Sequence, residues 1–299
     1  MIYYLTASRH AGAMGEFLAT LGSPLAGRIS ILSYEQLFSG RPAALPRATY
    51  IFTSLGLPLG SIDPPSRPRQ LVAQLRRELS NRYGPGSVIN DPLASLRRFP
   101  LLRTLHAQGI NRFAAYRADQ LPDSVRFPVF LRLEAGAQWQ KIPLLRDRRE
   151  YEAALAATGY RDGLLAVEFC DTRDDKGIYR KYGAFVLGDR IVPRHLYFSR
   201  DWMVKTTDLT SDEQLAEEVA YVESNPHAGA LQEICRLAHI GYGRIDYAIH
   251  DGCLQVWEIN TTPSLVSPPG PGDALRRRAH QGFLAAFTAA VDAIDIAST

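Results

Sequence analysis

Cysteine is scarce in this chain, and long apolar runs are missing from it. Cys170, Cys235 and Cys253 are odd in number and lie far apart. They have neither the paired spacing of a zinc site nor the density of a disulfide scaffold, so a reducing compartment is expected. No apolar stretch reaches the roughly 20 residues that span a bilayer. The opening MIYYLTASRH has no basic stretch followed by a long apolar run. A soluble, cytoplasmic protein with no membrane partner is expected by elimination. A strong charge of one sign is absent too: a net charge of +3 with acids and bases interspersed gives no argument for nucleic acid, although a local basic cluster would suit a phosphate-bearing small ligand. No internal repeat, low-complexity tract, Ser-His-Asp or Cys-His arrangement is legible. ASRHAGAMGEF, after the first apolar run, has Gly12 and Gly15 but not the spacing of a dinucleotide fingerprint.

What is present reads as a globular protein of two or three units: 299 residues, 46% hydrophobic and 22% charged. IYYLTA (2–7), RISILS (28–33), ATYIFTS (48–54) and SVIN (87–90) are strand-like, with helical stretches such as 68–80 between some of them. That alternation predicts a small, mainly parallel sheet with helices on its faces. SLGLPLGSIDPPSRP (54–68) is a turn-rich connection. In VINDPLASLRRFPLLRTLHAQGI (88–110), Asp91 is placed to cap a helix with Pro92 in its first position, Pro100 to break or kink it, and Gly109 to end it. FPVFLRL (127–133) reads as a strand with QKIPLLRD as a candidate hairpin partner. Further strands follow at 163–171 and, as a hairpin around Gly188-Asp189, at 180–198. Helices are expected at 208–224, 227–240 and 273–295, the last after a PPGPG loop at 268–272.

The segment RIDYAIHDGCLQVWEINTTPS (244–264) raises the sharpest question, because a buried hairpin carries Asp246, Glu258 and Asn260. A two-residue turn at Asp251-Gly252 would pair 246 with 257 and point Asp246 away from Glu258. A three-residue loop, His250-Asp251-Gly252, would bring Asp246 opposite Val256 and diagonal to Glu258, with Asn260 on the same face. The expectation is the bulged loop, leaving Ile245, Tyr247, Ile249, Trp257 and Ile259 as the core face and Gln255 as its one poor fit. Two carboxylates on one face repel unless a cation intervenes, and a hard divalent ion with oxygen ligands would serve. The alternative is that Glu258 pairs with Arg244 and Asn260 starts the turn at Thr261-Thr262-Pro263.

The ordered set of NDP-helix-GI (90–110), PVFLR (128–132), VEF (167–169), AFVLG (184–188) and GRIDY…VWEIN (243–260) resembles the ATP-grasp superfamily. It is most similar to carboxylate–amine ligases such as the ribosomal-protein glutamate ligases, glutathione synthetases and D-alanine–D-alanine ligases. The resemblance covers residues 88–265, and its most specific part is the Asp-to-Glu separation of twelve followed by Glu-x-Asn. It implies an α/β and α+β chain in three parts: an N-terminal parallel α/β domain (1–90), a central subdomain (91–170) and a C-terminal subdomain with the metal site (171–299). Asp246, Glu258 and Asn260 would then hold Mg²⁺ on ATP. The implied reaction is ATP-dependent joining of a small-molecule carboxylate to an amine, such as an amino acid or peptide, through an acyl phosphate. Phosphotransfer, or nucleotide binding without turnover, are the alternatives. Homodimers are common among such relatives.

The same resemblance assigns the remaining candidates. The family's two nucleotide lysines fall on Arg98 and Arg132, which keep the charge in a bulkier, two-donor form. Val167, Glu168, Phe169, Cys170 and Asp171 would hold the base, with Glu168 or Asp171 on the ribose. Lys181, with Arg180, stands near an arginine position that is Gly183 here, and Arg194 would face the transferred phosphate or acyl group. Trp202 and Lys205 occupy a region where relatives carry an asparagine. The phosphate loop departs most: EAGAQWQKI (134–142) keeps Gly136 and Gln138 but has Trp139 and Lys141 where glycines are expected. Either Lys141 supplies charge in a loop that closes differently, or the loop no longer covers a triphosphate.

Overall fold

The computed structural model describes residues 1–20, 23–40, 45–55, 66–135, 142–158, 162–265 and 274–297. The phosphate loop at 136–141, Lys141 included, and most of the 54–68 and 268–272 connections lie outside the described residues.

The four N-terminal runs form one parallel sheet. β1 (Ile2–Thr6) lies between β2 (Ile29–Ser33) and β3 (Thr49–Phe52), with β4 (Val88–Ile89) beyond β3. Helices α1 (Ala11–Ala19), α2 (Tyr34–Ser39) and α3 (Arg67–Tyr83) connect these strands, as alternating strand and helix patterns require. α2 starts where Ser33 and Gln36 form a capping box. α3 buries Val72, Leu75 and Leu79, a helical spacing, against Leu5, Tyr50 and Phe52.

The middle of the chain makes an antiparallel sheet of order β5 (Ala115–Arg117), β7 (Leu164–Glu168), β6 (Val129–Leu133), accompanied by α4 (Arg98–Ala107) and α5 (Arg148–Thr158). Here the sequence expectation needs correction. Asp91 does not cap a helix: its carboxylate accepts from Leu93 N at 3.0 Å, and its carbonyl accepts from Ala94 N at 3.0 Å and Ser95 N at 2.7 Å. The helix begins at Arg98, so Pro100 lies in its first turn, where a missing N–H costs nothing. The supposed partner of β6 is reduced to one bridge, Val129 with Leu145, among the described residues.

The second antiparallel sheet has the order β11-β10-β8-β9, from β8 (Tyr179–Leu187), β9 (Arg190–Ser199), β10 (Tyr242–His250) and β11 (Cys253–Asn260). α6 (Asp212–Ser224), α7 (Ala228–Leu237) and α8 (Ala274–Ile294) accompany it. α6 begins four residues later than expected because Ser211 and Gln214 build its capping box. The fold class is α/β and α+β, as expected, and no described helix is long and apolar enough to cross a membrane.

One aromatic core joins the parallel sheet to the second antiparallel sheet. Tyr4 meets Tyr242 edge-on at 5.6 Å, Phe17 meets Phe287 at 5.6 Å, and Phe287 meets Phe185 at 5.5 Å. Two buried amides fix the hairpin β10–β11 between its neighbours. Asn90 accepts from Gly241 N (2.7 Å) and Tyr242 N (2.9 Å) and donates to Tyr242 O (2.9 Å). Asn111 donates to Val256 O and accepts from Val256 N, both at 2.9 Å. Asn90 also holds a left-handed φ of 64°, which asparagine tolerates better than most residues. Asn90→Ala should therefore lower stability by about 3 kcal/mol, since it leaves three backbone groups without partners. Denaturant midpoints would show it.

Candidate functional site

The hairpin carrying the acids is built differently from the expected bulged loop, yet reaches the same facing. Asp251 (φ 47°) and Gly252 (φ 73°) form a two-residue turn that pairs His250 with Cys253. Continued unbroken, that register would put Asp246 opposite Trp257. Instead Tyr247 pairs with Val256 and Asp246 with Glu258, so Trp257 is an extra residue in β11. The change of parity sits in the strand, not in the loop. Trp257 thereby leaves the core face and lies against Phe113, ring centroids 5.8 Å apart. Gln255 leaves the core face as well, and its carbonyl oxygen accepts Arg112 N at 2.8 Å.

Asp246 and Glu258 share a face, but each already has a cationic partner. Arg244 grips Asp246 with two donors, Nε at 2.7 Å and Nη2 at 3.1 Å. Glu258 is ion-paired with Arg98, and Arg132 Nη2 lies 3.7 Å from the same carboxylate. The other arm of Arg98 donates to the carbonyls of Leu133 (3.1 Å) and Glu134 (2.7 Å). Asn260 turns its Oδ1 to Thr262 N at 2.9 Å and so opens the following turn. A divalent cation needs open oxygen ligands, and here Arg244 and Arg98 lie on the two carboxylates. Among the described residues no group of three or more His, Cys, Asp or Glu side chains could hold a metal ion. Of the expected Mg²⁺ set, Asp246 and Glu258 converge, each with an arginine against it.

Arg132, Asp246 and Glu258 line one side of a cleft open to solvent. Its walls divide by character. Phe130, Phe169, Trp202 and Trp257 are aromatic, with Trp202 against Phe130 (5.0 Å) and edge-on to Phe169 (5.6 Å). Arg132, Lys181 and Lys205 are cationic. Burial pushes the Arg132 guanidinium down to about 9, with Arg98 adding to the effect. Burial takes Lys181 down to about 8, Asp246 opposing and Arg244 and Lys205 reinforcing. Arg98 falls to about 10 through burial, against the pull of Glu134 and Asp246. Lys205 is lowered by burial and then by Arg132 and Arg98. Cations crowded out of water in this way gain from an anion among them.

The remaining sequence candidates divide. Phe169 and Cys170 line the cleft, although burial raises the Cys170 thiol to about 11 and makes it a poor nucleophile. Val167 is fully buried in the sheet beneath. Asp171 pairs with Arg173 at 2.9 Å. Arg180 lines the cleft but is held by Glu217 (2.7 Å) and Asp174 (2.5 Å). Arg194 is not brought to the cleft: its guanidinium lies 4.5 Å from the Phe283 ring and Nη2 reaches Leu265 O at 3.4 Å. Gly183, where an arginine was sought, has a steric reason, since a Cβ there would come within 2.4 Å of His195 Nε2. The sequence reading missed Phe130, two residues from Arg132 on the same face of β6, and the role of Trp257. Alternation along β6 would have found the first.

No family model matches the chain, and no curated protein matches it in sequence. In structure it is similar to the D-alanine–D-alanine ligase of Bacillus anthracis complexed with ATP, with TM-score 0.53 and 12% identity over 98% of both chains. The D-alanine–D-alanine ligase of Coxiella burnetii gives TM-score 0.51 and 12% identity, also over 98% of both chains. Identities this low establish a shared fold.

Glu168 needs correction as a ribose ligand. It is 3% exposed and does not line the cleft. Its carboxylate accepts from Ala114 N (3.1 Å), Arg126 N (2.9 Å), Arg126 Nη2 (2.7 Å) and Tyr116 OH (3.2 Å). Burial alone would raise its pKa, but the Arg126 and Ala114 donors outweigh burial and hold it below the usual value. A depressed carboxyl stabilises the fold above the unfolded pKa and loses that contribution as pH falls through the folded one. Glu168→Gln should cost about 2 kcal/mol near neutral pH, a gap that narrows below about pH 4, while ligand affinity stays unchanged. Denaturation at two pH values and a nucleotide titration would check both parts.

Proposed function

We propose that this chain, which has the ATP-grasp fold, is an ATP-dependent ligase that joins a carboxylate to an amine. The single observation supporting the reading is the polarity of the cleft, aromatic at Phe130, Phe169 and Trp202 and cationic at Arg132, Lys181 and Lys205. A nucleotide has the same division, a flat apolar base and a charged phosphate chain. In this reading residues 1–90 form the N-terminal domain, 91–170 the central subdomain and 171–299 the C-terminal subdomain. Phe169 and the backbone of 168–170 meet the base, and Asp171 is the acid left for the ribose.

The chemistry follows from charge. A substrate carboxylate oxygen attacks the terminal phosphorus of ATP, the bond to the bridging oxygen breaks, and ADP leaves. The amine nitrogen then attacks the acyl carbon, phosphate departs with the bonding pair, and the nitrogen gives up a proton to form the amide. Arg132, Lys181 and Lys205 stabilise the negative charge that gathers on the phosphoryl oxygens. The protein supplies position and field, not a covalent nucleophile. The fold relatives named above are D-alanine–D-alanine ligases, and amino acids or short peptides are the substrate class proposed here.

A second reading, nucleotide binding without turnover, is favoured by one observation, the arginine partners on both hairpin acids. Incubation with ATP and pooled amino acids, followed by ADP release and product mass, separates the two. A mass matching a condensed pair with stoichiometric ADP supports ligation. A phosphorylated product replaces it with phosphotransfer, and saturable ATP binding without ADP release supports the second reading. Arg132→Ala should weaken ATP binding about tenfold or more. Affinity for the nucleotide should also fall as pH rises through about 8, where Lys181 loses its proton; a flat profile between about pH 7 and 9 would remove Lys181 from the phosphate site.

A further inference from the structure

The two hairpin acids already have arginine partners. Arg98, Arg132 and Arg244 stand on Glu258 and Asp246, and Lys181 and Lys205 line the same cleft. A divalent ion placed between Asp246 and Glu258 would have to displace Arg244 from one and Arg98 from the other.

We propose that the cleft takes the phosphate chain of a nucleotide without a divalent cation, the arginines on Asp246 and Glu258 standing where the ion would bridge. This rests on the nucleotide reading above. Guanidinium geometry suits the task. It presents five donors along two edges, so one edge can stay on a carboxylate while the other meets a phosphate oxygen. Arg132 is placed for this: one Nη lies 3.7 Å from Glu258, its Nε has no hydrogen-bond partner among the described residues, and its side chain lines the cleft.

The test is a calorimetric titration of the full chain with ATP, once in EDTA and once in excess Mg²⁺, with Mn²⁺ uptake by the protein alone followed through the free-ion paramagnetic resonance signal. The expected result is ATP binding in EDTA at least as tight as in Mg²⁺, within about threefold, and no Mn²⁺ uptake. ATP binding that is about tenfold or more tighter with Mg²⁺ overturns this proposal and leaves the nucleotide reading standing. Absence of binding in both conditions overturns both. The double substitution Arg98→Met and Arg132→Met gives a second measure. It should lose about tenfold or more of the affinity in EDTA and gain Mn²⁺ uptake as Glu258 opens. A double variant that keeps its thermal transition and its affinity in EDTA also overturns the proposal.

Discussion

Because Trp257 is inserted between the Tyr247–Val256 and Asp246–Glu258 pairs, β11 changes face partway along its length. Everything that makes the cleft chemical depends on that insertion. Before it, Val256 is fully buried in the core with Tyr247. After it, Glu258 stands opposite Asp246, within reach of α4 and β6 through Arg98 and Arg132. The inserted tryptophan extends the aromatic wall that Phe113 supports. Without the bulge the same letters would bury one carboxylate in the core, a cost far above that of one unpaired ladder position.

Facing acids in a partly closed cleft must be neutralised, and guanidinium groups do it here by direct contact. Two-donor pairing, as between Arg244 and Asp246, gives direction as well as charge. Desolvation then works against the cations themselves, which is why Arg98, Arg132, Lys181 and Lys205 all have lowered pKa values with burial as the first cause. A cluster in that condition gains from an incoming anion, since the anion restores part of what was lost with water. Glu168, on the strand next to that of Arg132, shows the opposite outcome: donors saturate it, so it contributes to the fold and has nothing left for a ligand.

The sequence made the scaffold legible where pattern and packing agree. The four parallel strands, the Gly188-Asp189 hairpin and the convergence of Asp246 with Glu258 follow from alternation and turn chemistry. It misled where a local signal had two solutions. Asp91 with Pro92 satisfies a short side-chain turn as well as a helix cap, and tertiary contact chose the turn, with Leu96 N reaching Ala238 O at 2.9 Å. The parity change at the acids could lie in loop or strand, and the amphipathic choice at Trp257 decided for the strand. Arg194 and Glu168 were unreadable for another reason: both sit on strands of the right family, but which neighbour claims a long charged side chain depends on elements far away in sequence, Phe283 in one case and Arg126 in the other.

Fixed and exchangeable contacts are kept apart in this architecture. Asn90 and Asn111 bond backbone groups at the start of β10 and in the middle of β11, buried where no ligand can compete. They hold the hairpin to β4 on one side and to the segment after α4 on the other, independent of the charge state of the cleft. The contacts across the cleft, Arg98 and Arg132 on Glu258, join long side chains that keep further donors. An anion can join such a pair without unmaking the scaffold, because the backbone beneath is secured by amides that do not titrate. The stability of the fold and the electrostatics of the site therefore rest on different residues, and substitutions in the cleft can change what it binds while the hairpin keeps its place.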